Sequence, residues 1–413
     1  SPINTWNTTS SLNMTFAFYN ATSFNQDINT QVINGSYVAW DVKNVTNFSW
    51  MFRYASAFDQ SISKWNMSSA TNTSFMFANS YVYNQDMNTM VVLFTTVTPN
   101  YEYIAWDVSS VTNMREMFAS ATLFNGNIDN WDISSVDNME STFAYTNVFN
   151  RNISKKSITL TFSDNTTVTY TAWDPISVTR FYGTFQSTEQ FNNNNDPGIM
   201  EWNMQNVTHA SLMFRNSKVF NQPLDNWNFS RCINFDYMFD NSLLFNQNIS
   251  SWQFNTVSSS NQNIRFYFSF GSSSNVAIDF NNGGEDLSWN LSQNANVEYD
   301  LHSTFRNNNS IIVPITWNIN RVTSMNHTFD NTIWNDISVQ DWDVTNMRSF
   351  NSCFRNDTEF DQDLLEKPVL TNSNDKYIAW KVSNCADFTA MFLGASKFNG
   401  DISNWRIYGN MST

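Results

Sequence analysis

The sequence predicts an α/β solenoid, a stack of about 14 coils with β-hairpin insertions on one edge, and three observations predict it. The first is register: fourteen of the sixteen tryptophans recur as Trp6, Trp40, Trp65, Trp106, Trp131, Trp173, Trp202, Trp227, Trp252, Trp289, Trp317, Trp342, Trp380 and Trp405. Six of the thirteen intervals are 25 residues and the others run from 28 to 42. The second is phase: a Phe stands twelve residues after the Trp in eleven units, as in Phe18, Phe118 and Phe392, and a Phe or Tyr stands eighteen after it in eleven of thirteen. The third is composition, with 16% aromatic residues against only 14% charged. One apolar set per period, buried only against neighbouring periods, is how a repeat array builds a core.

Each element follows from spacing within a unit. Val111 to Ala121 carries apolar residues at i, i+3, i+6 and i+7, which predicts one or two helical or 3₁₀ turns. Ile128 to Ile133 alternates loosely and predicts a short strand, stacked in parallel on its counterparts. Extra residues lie just before Trp40, Trp106, Trp173, Trp289 and Trp380, and four of these insertions end in YVAW, YIAW, YTAW and YIAW. Hairpins are expected at about 29–39, 88–105, 155–172 and 365–379. Asn34-Gly35 is a type I′ turn signal, and residues 157–173 alternate apolar and polar about the polar turn SDN. The array is read as one domain, 1–413, with regular coils over 1–253 and 317–413. In the irregular segment 254–316 the Phe twelve residues on is lost and NNGGED appears at 281–286. A degenerate coil accounts for that break; if the chain binds a specific ligand at all, this is the place to look for it.

Asparagine occupies 64 positions. Part of that excess is a column nineteen residues after the Trp: Asn25, Asp59, Asn84, Asn125, Asn150, Asn192, Asn221, Asn246, Asp361 and Asn399, with Asn308 and Asp336 in the same phase. A side chain that both donates and accepts, repeated at one turn of every coil, can satisfy backbone groups and link to the next amide. Another part is sequons, 18 of them against about 14 expected from composition. Their positions select Asn7, Asn66, Asn228 and Asn290 directly after a Trp, Asn34 and Asn165 at hairpin tips, Asn20 and Asn356 in a shared phase, and Asn44 and Asn206 as further N-glycosylation candidates. Asn308 is expected to be too buried for modification.

Several functions are excluded by what the chain carries. A net charge of −15 with 21 Lys plus Arg offers no basic stripe to nucleic acid. The longest apolar run, MVVLF at 90–94, is far short of the ~20 residues that span a bilayer. His209, His302 and His327 are far apart in sequence, the ten glycines form no phosphate-binding loop, and no carboxylate cluster stands off the repeat, so no enzyme is expected. Cys232, Cys353 and Cys385 take apolar phases and are expected to be buried, with a Cys353–Cys385 bridge as the oxidised alternative. No cofactor is expected. Ca²⁺ on Asp27, Asp41, Asp107, Asp132, Asp174, Asp343 and Asp401 is the weaker alternative to turn capping.

The units WDVSSVTNMREMFASATLFNGNIDN from Trp106 and WDISSVDNMESTFAYTNVFNRNIS from Trp131 resemble the short Trp-containing, mycoplasma-lipoprotein-type repeat of the BspA-like leucine-rich-repeat surface proteins. The resemblance covers nearly the whole chain apart from the hairpins and 254–316. It implies a right-handed leucine-rich-repeat-like solenoid on a secreted or cell-surface protein, with no catalytic residues to carry over. The chain shows no lipoprotein cysteine near Ser1 and carries many sequons, which fits a eukaryotic secreted glycoprotein better than a bacterial lipoprotein. Both ends fall inside a coil. The expectation is therefore an extracellular structural glycoprotein that self-associates end to end into a filament or surface layer, bearing N-glycans, with no membrane span and no nucleic acid. The alternative is a cell-surface adhesin or ligand-binding module with other surface proteins as partners.

Overall fold

Aromatic side chains in one phase stack from coil to coil, and these stacks are the core. In the computed structural model the described residues are 3–97, 99–254, 262–274, 276–291, 294–370 and 376–407. Two compact units, residues 1–206 and 207–413, divide the chain. In the first, Phe18, Phe52, Phe77, Phe118, Phe143 and Phe185 form one column with ring centroids 5.3–5.6 Å apart. Phe24, Phe58, Tyr83, Phe124, Phe149 and Phe191 form a second at 5.6–6.2 Å. The two are joined within each coil, as for Phe118 and Phe124 at 4.0 Å. Register tryptophans make the third side of the core, with Trp106, Trp131, Trp173 and Trp202 stacked at 5.7–6.4 Å. Each fully buried ring contributes about 1.5–3 kcal/mol.

The helical half of the expected coil is absent: no α-helix occurs among the described residues, only turns and short 3₁₀ segments. The stretch from Val111 to Ala121 shows why. Met117, Ala119 and Ala121 donate within the coil to the carbonyls of Met114, Glu116 and Phe118, three residues back. The alternate residues Glu116, Phe118 and Ser120 donate instead to Glu140, Thr142 and Ala144 of the next coil. A helix would spend every N–H inside its own segment, whereas here every second one joins coils. Two residues four apart take left-handed backbone in most coils, as Glu116 (φ 52°) and Ser120 (φ 59°) do, or Trp50 (φ 63°) and Tyr54 (φ 62°). Such a residue costs roughly 1–2 kcal/mol, offset by the inter-coil bonds and ring stacking. The strand expected at Ile128–Ile133 is also absent; single parallel bridges lie seven residues after the Trp instead, in the series Asn13, Asn47, Asn72, Asn113, Asn138, Arg180.

Antiparallel hairpins precede four of the register tryptophans: β1 (Gln31–Ile33) with β2 (Tyr37–Ala39), β3 (Met90–Phe94) with β4 (Tyr101–Ala105), β5 (Lys156–Thr161) with β6 (Thr167–Ala172), and β10 (Lys367–Leu370) with β11 (Lys376–Ala379). The shared Tyr-x-Ala-Trp ending has a physical cause. The Tyr hydroxyl reaches the carbonyl just before the preceding register Trp: Tyr37 to Thr5 at 2.6 Å, Tyr170 to Asn130 at 2.7 Å, Tyr103 to Lys64 and Tyr377 to Asp341. The Trp closing each insertion has positive φ, 47–50°, and donates its N–H to the preceding Trp carbonyl. Asn34 (φ 50°) and Gly35 (φ 67°) give the turn the two left-handed residues it needs.

In the second unit β7 (Gln262–Arg265), β8 (Val297–Asp300) and β9 (Val322–Ser324) form a parallel sheet, the first two strands inside the segment read as degenerate and the third just after it. The Phe column continues through it, from Phe239 to Phe270 at 5.5 Å and on to Phe305 at 6.0 Å. The coil is lengthened, so its Phe falls eighteen residues after Trp252 instead of twelve. Residues 255–261, where the irregular segment begins, lie outside the described residues. All three cysteines are buried free thiols, so the Cys353–Cys385 bridge is not formed. No described helix is long and apolar enough to cross a membrane.

Candidate functional site

The column nineteen residues after the Trp is joined by one repeated bond. Asn25 Oδ1 accepts from the Asp59 N–H at 3.0 Å, Asp59 from Asn84 at 2.9 Å, Asn84 from Asn125 at 2.8 Å, Asn125 from Asn150 at 3.0 Å and Asn150 from Asn192 at 2.8 Å. In the second unit Asn221 accepts from Asn246 at 3.0 Å, Asn246 from Asn281 at 2.7 Å, and Asp361 from Asn399 at 2.8 Å. The link is therefore side-chain oxygen to backbone N–H, not amide to amide, which is why Asp serves as well as Asn. Asn308 and Asp336 stand outside it. Asn308 is fully buried and donates to the Phe280 carbonyl, and in its coil Ile312 is the residue whose N–H meets Asn281; Asp336 caps a 3₁₀ turn through Ser338, and Asn335 takes its place by accepting from Asp361.

A second Asn row, seven residues after the Trp, escaped the sequence reading. Asn13, Asn47, Asn72, Asn113 and Asn138 each accept from the N–H two residues on, at 2.8–3.0 Å. Of the glycosylation candidates, Asn7, Asn20, Asn34, Asn44, Asn165, Asn228, Asn290 and Asn356 are exposed, while Asn66 and Asn206 are half-buried. Asn7, Asn66 and Asn228 accept from Thr9, Ser68 and Ser230, so their sequons double as Asx turns. The acidic residues at that phase do the same: Asp107, Asp132 and Asp343 accept from Ser109, Ser134 and Thr345. Among the described residues no group of three His, Cys, Asp or Glu side chains is placed to hold a metal ion.

Dissimilar groups meet on the outer face of the β7–β8–β9 sheet. Strand alternation buries Ile264, Val297 and Tyr299 and turns Asn263, Arg265, Glu298 and Asp300 outward. Beyond the strand ends lie Tyr267 and His302, their rings 4.5 Å apart, with His327 5.7 Å from His302. Histidines far apart in sequence are thus neighbours. Asp236, Arg265, Tyr267, Asp300 and His302 line a cleft of about 340 Å³. Gln262, Asn263, Asn296, Glu298 and Arg321 line another of about 240 Å³ on the same strands. This is an off-repeat carboxylate cluster that the sequence reading did not find.

The electrostatics are paired throughout. Arg265 bonds Asp236, which raises the guanidinium's pKa, and Asp236 also accepts the Tyr267 N–H at 3.1 Å. Arg348 meets Glu298 at 3.0 Å. Burial lowers the His302 pKa against the opposing pull of Asp300, so the ring is neutral at physiological pH. Beside the cleft, fully buried Asp330 binds Arg355 at 2.6 and 2.8 Å and His327 at 3.0 Å, with Arg306 3.1 Å away but out of line for a hydrogen bond. The available signal was departure from the repeat: Arg265 and Asp300 replace Asn in the bridge row, and Tyr267 and His302 follow two residues on.

A family model described as "Mycoplasma protein of unknown function, DUF285" matches residues 1–90, 86–164, 156–279 and 299–412. No curated protein and no solved structure matches the chain.

Proposed function

The chain belongs to the DUF285 family of mycoplasma proteins of unknown function, and from that premise we propose that it is an extracellular structural glycoprotein whose coils self-associate end to end, of the BspA-like leucine-rich-repeat surface kind. The observation that carries this reading is that each class of inter-coil bond keeps one direction along the stack. Alternate turn N–H groups of one coil, such as Glu116, Phe118 and Ser120, donate to the carbonyls of the next, whereas the Thr112 and Trp106 N–H groups donate back to Thr71 and Trp65 of the coil before. In the Asn/Asp column each side-chain oxygen likewise accepts from the following coil. Any uncovered forward face is therefore complementary to any uncovered rear face, a heterologous contact that propagates when it does not close. Exposed Asn34 and Asn165, at hairpin tips, are places where N-glycans would not disturb that stacking. No catalytic role is proposed. Light scattering and electron microscopy of purified, natively glycosylated protein test the reading. Filaments, or a mass that grows with concentration, are expected; a monomer mass constant over a wide concentration range overturns it. The polar groove of the second unit favours a second reading, a ligand-binding surface module.

A further inference from the structure

We propose that the groove on the outer face of the β7–β8–β9 sheet is a binding site for a neutral oligosaccharide, with Asp300, Arg265 and the Tyr267 ring as its principal contacts. The inference rests on the second reading above and is independent of self-association.

Small-molecule sites usually have apolar walls with a few polar groups. Here the described lining of the larger cleft is two carboxylates, a guanidinium, an imidazole and a phenol ring. At about 340 Å³ the cleft falls within the roughly 300–1,000 Å³ of such sites. An apolar ligand would strip water from the Asp300 carboxylate and the remaining Arg265 N–H groups without replacing it, at a cost of about 1–3 kcal/mol each. An anion meets Asp236 and Asp300, while the cation facing it, Arg265, is already committed to Asp236. With His302 neutral, the lining carries one net negative charge. A simple cation would use the carboxylates but not Arg265.

A sugar uses them all. Vicinal hydroxyls both donate and accept, so Asp300 can receive two of them while the remaining Arg265 N–H groups bond a third oxygen. The C–H face of a pyranose ring packs on an aromatic face, and Tyr267 offers a half-buried ring with a polar tip, held by its contact with His302. The same chemistry repeats along the strands. Asn263 precedes Arg265 by two residues and Glu298 precedes Asp300 by two, so both second-cleft residues lie on the same sheet face. A run of amide, carboxylate and guanidinium groups fits a chain of sugars better than a single one. That chain could be borne by another surface or by a second copy of this protein, since the recognising chemistry is the same.

The test is a glycan array carrying neutral and sialylated oligosaccharides, followed by titration calorimetry with the neutral trisaccharides that score, using the full chain. Neutral sugars are expected to bind, with affinity at least tenfold weaker for Asp300→Asn and for Tyr267→Ala. Arg53→Gln, in the first unit, should change nothing. Arg265→Gln is judged only if its circular dichroism matches wild type, because it also frees Asp236. Association of the glycosylated protein that a free neutral trisaccharide reverses would identify a second copy as the source, whereas array binding without it identifies a foreign glycan. Absence of neutral-glycan binding, binding confined to sialylated glycans, or full affinity in the Asp300→Asn, Tyr267→Ala double variant each overturns the proposal. Filaments would still form in those cases if the structural reading holds.

Discussion

The same backbone turn carries stacked rings in both units, Tyr237 on Phe268 at 5.5 Å in the second, but the second adds ion pairs to it. In the first, the left-handed positions Phe16, Trp50 and Phe75 bear stacked rings, Trp50 on Phe75 at 4.3 Å, with the Arg53 guanidinium 4.1 Å from the Trp50 ring. In the second, the residues three beyond those positions form ion pairs: Arg215 with Asp240 at 2.8 Å, and Arg355 with Asp330. Their N–H bonds are alike, each donated to the carbonyl three residues back, as for Arg53 to Trp50 and Arg355 to Ser352. The core columns fix the turn, so outward positions are free to vary. Where they stay alike they make rows; where they diverge, as beside β7 and β8, unlike groups converge and a site can form.

The largest expected effect lies in the tryptophans, whose indole bond recurs in both units, at Trp252 and Trp289 in the second, but fails at two of its coils. The Trp131 indole N–H donates to the Met87 carbonyl at 2.6 Å, and Trp106 and Trp173 repeat the bond to Ile62 and Ile128. Trp317 and Trp342, in the coils that follow the lengthened segment, have buried indole N–H groups without a partner. Trp131→Phe removes ring volume and strands a buried carbonyl, and is expected to cost about 3–5 kcal/mol. Trp342→Phe removes volume only and should cost about 1–3 kcal/mol less. Urea unfolding of the two variants checks this, and equal losses would mean the indole bond contributes nothing.

The next effect belongs to the second unit alone. Fifteen residues after the Trp the repeat holds Ala55, Ala121, Thr146 and Ser242, but also Asp357, which is fully buried. Burial pushes its carboxyl up to about 7, against hydrogen bonds from Thr332 and nearby backbone that lower it. The folded state then holds a proton that the unfolded chain releases near pH 4, so stability present below pH 4 is lost as pH climbs through 7. Asp357→Ser should gain about 2–4 kcal/mol at pH 8 and little at pH 4. Thermal melts at both values measure it, and an unchanged pH profile would show that the carboxyl titrates normally.

Core and insertions were legible in the sequence because each leaves a one-dimensional trace. Phe at a fixed phase marks a stack, and Asn34-Gly35 marks a turn whatever surrounds it. The backbone between was not: Val111 to Ala121 has spacing that a helix would also satisfy, and only the bonds to the next coil decide otherwise. The groove was half legible. The broken phase at 254–316 drew attention to the stretch that holds β7 and β8, but Asp236 and His327 come from coils outside it, and no spacing places His302 beside Tyr267.

The smallest effect separates the two accounts of the Asn column and asks whether both units use it alike. Asn125 Oδ1 accepts the Asn150 N–H at 3.0 Å, while its own N–H is held by Asn84 at 2.8 Å. Asn125→Ala removes the acceptor and leaves a part-buried backbone donor to find water, for about 1 kcal/mol. Asn125→Asp keeps the oxygen and should cost almost nothing, since Asp59 and Asp361 already accept from Asn84 and Asn399. Asn246→Ala should cost more than Asn125→Ala, because Asn246 Oδ1 holds two donors, Asn281 at 2.7 Å and Gly283 at 3.0 Å. Hydrogen exchange at Asn150, Asn281 and Gly283 reads each bond directly. Protection at Asn150 lost in Asn125→Ala and kept in Asn125→Asp supports an acceptor-only ladder; loss in both would mean that the amide's donor function is what holds the coils.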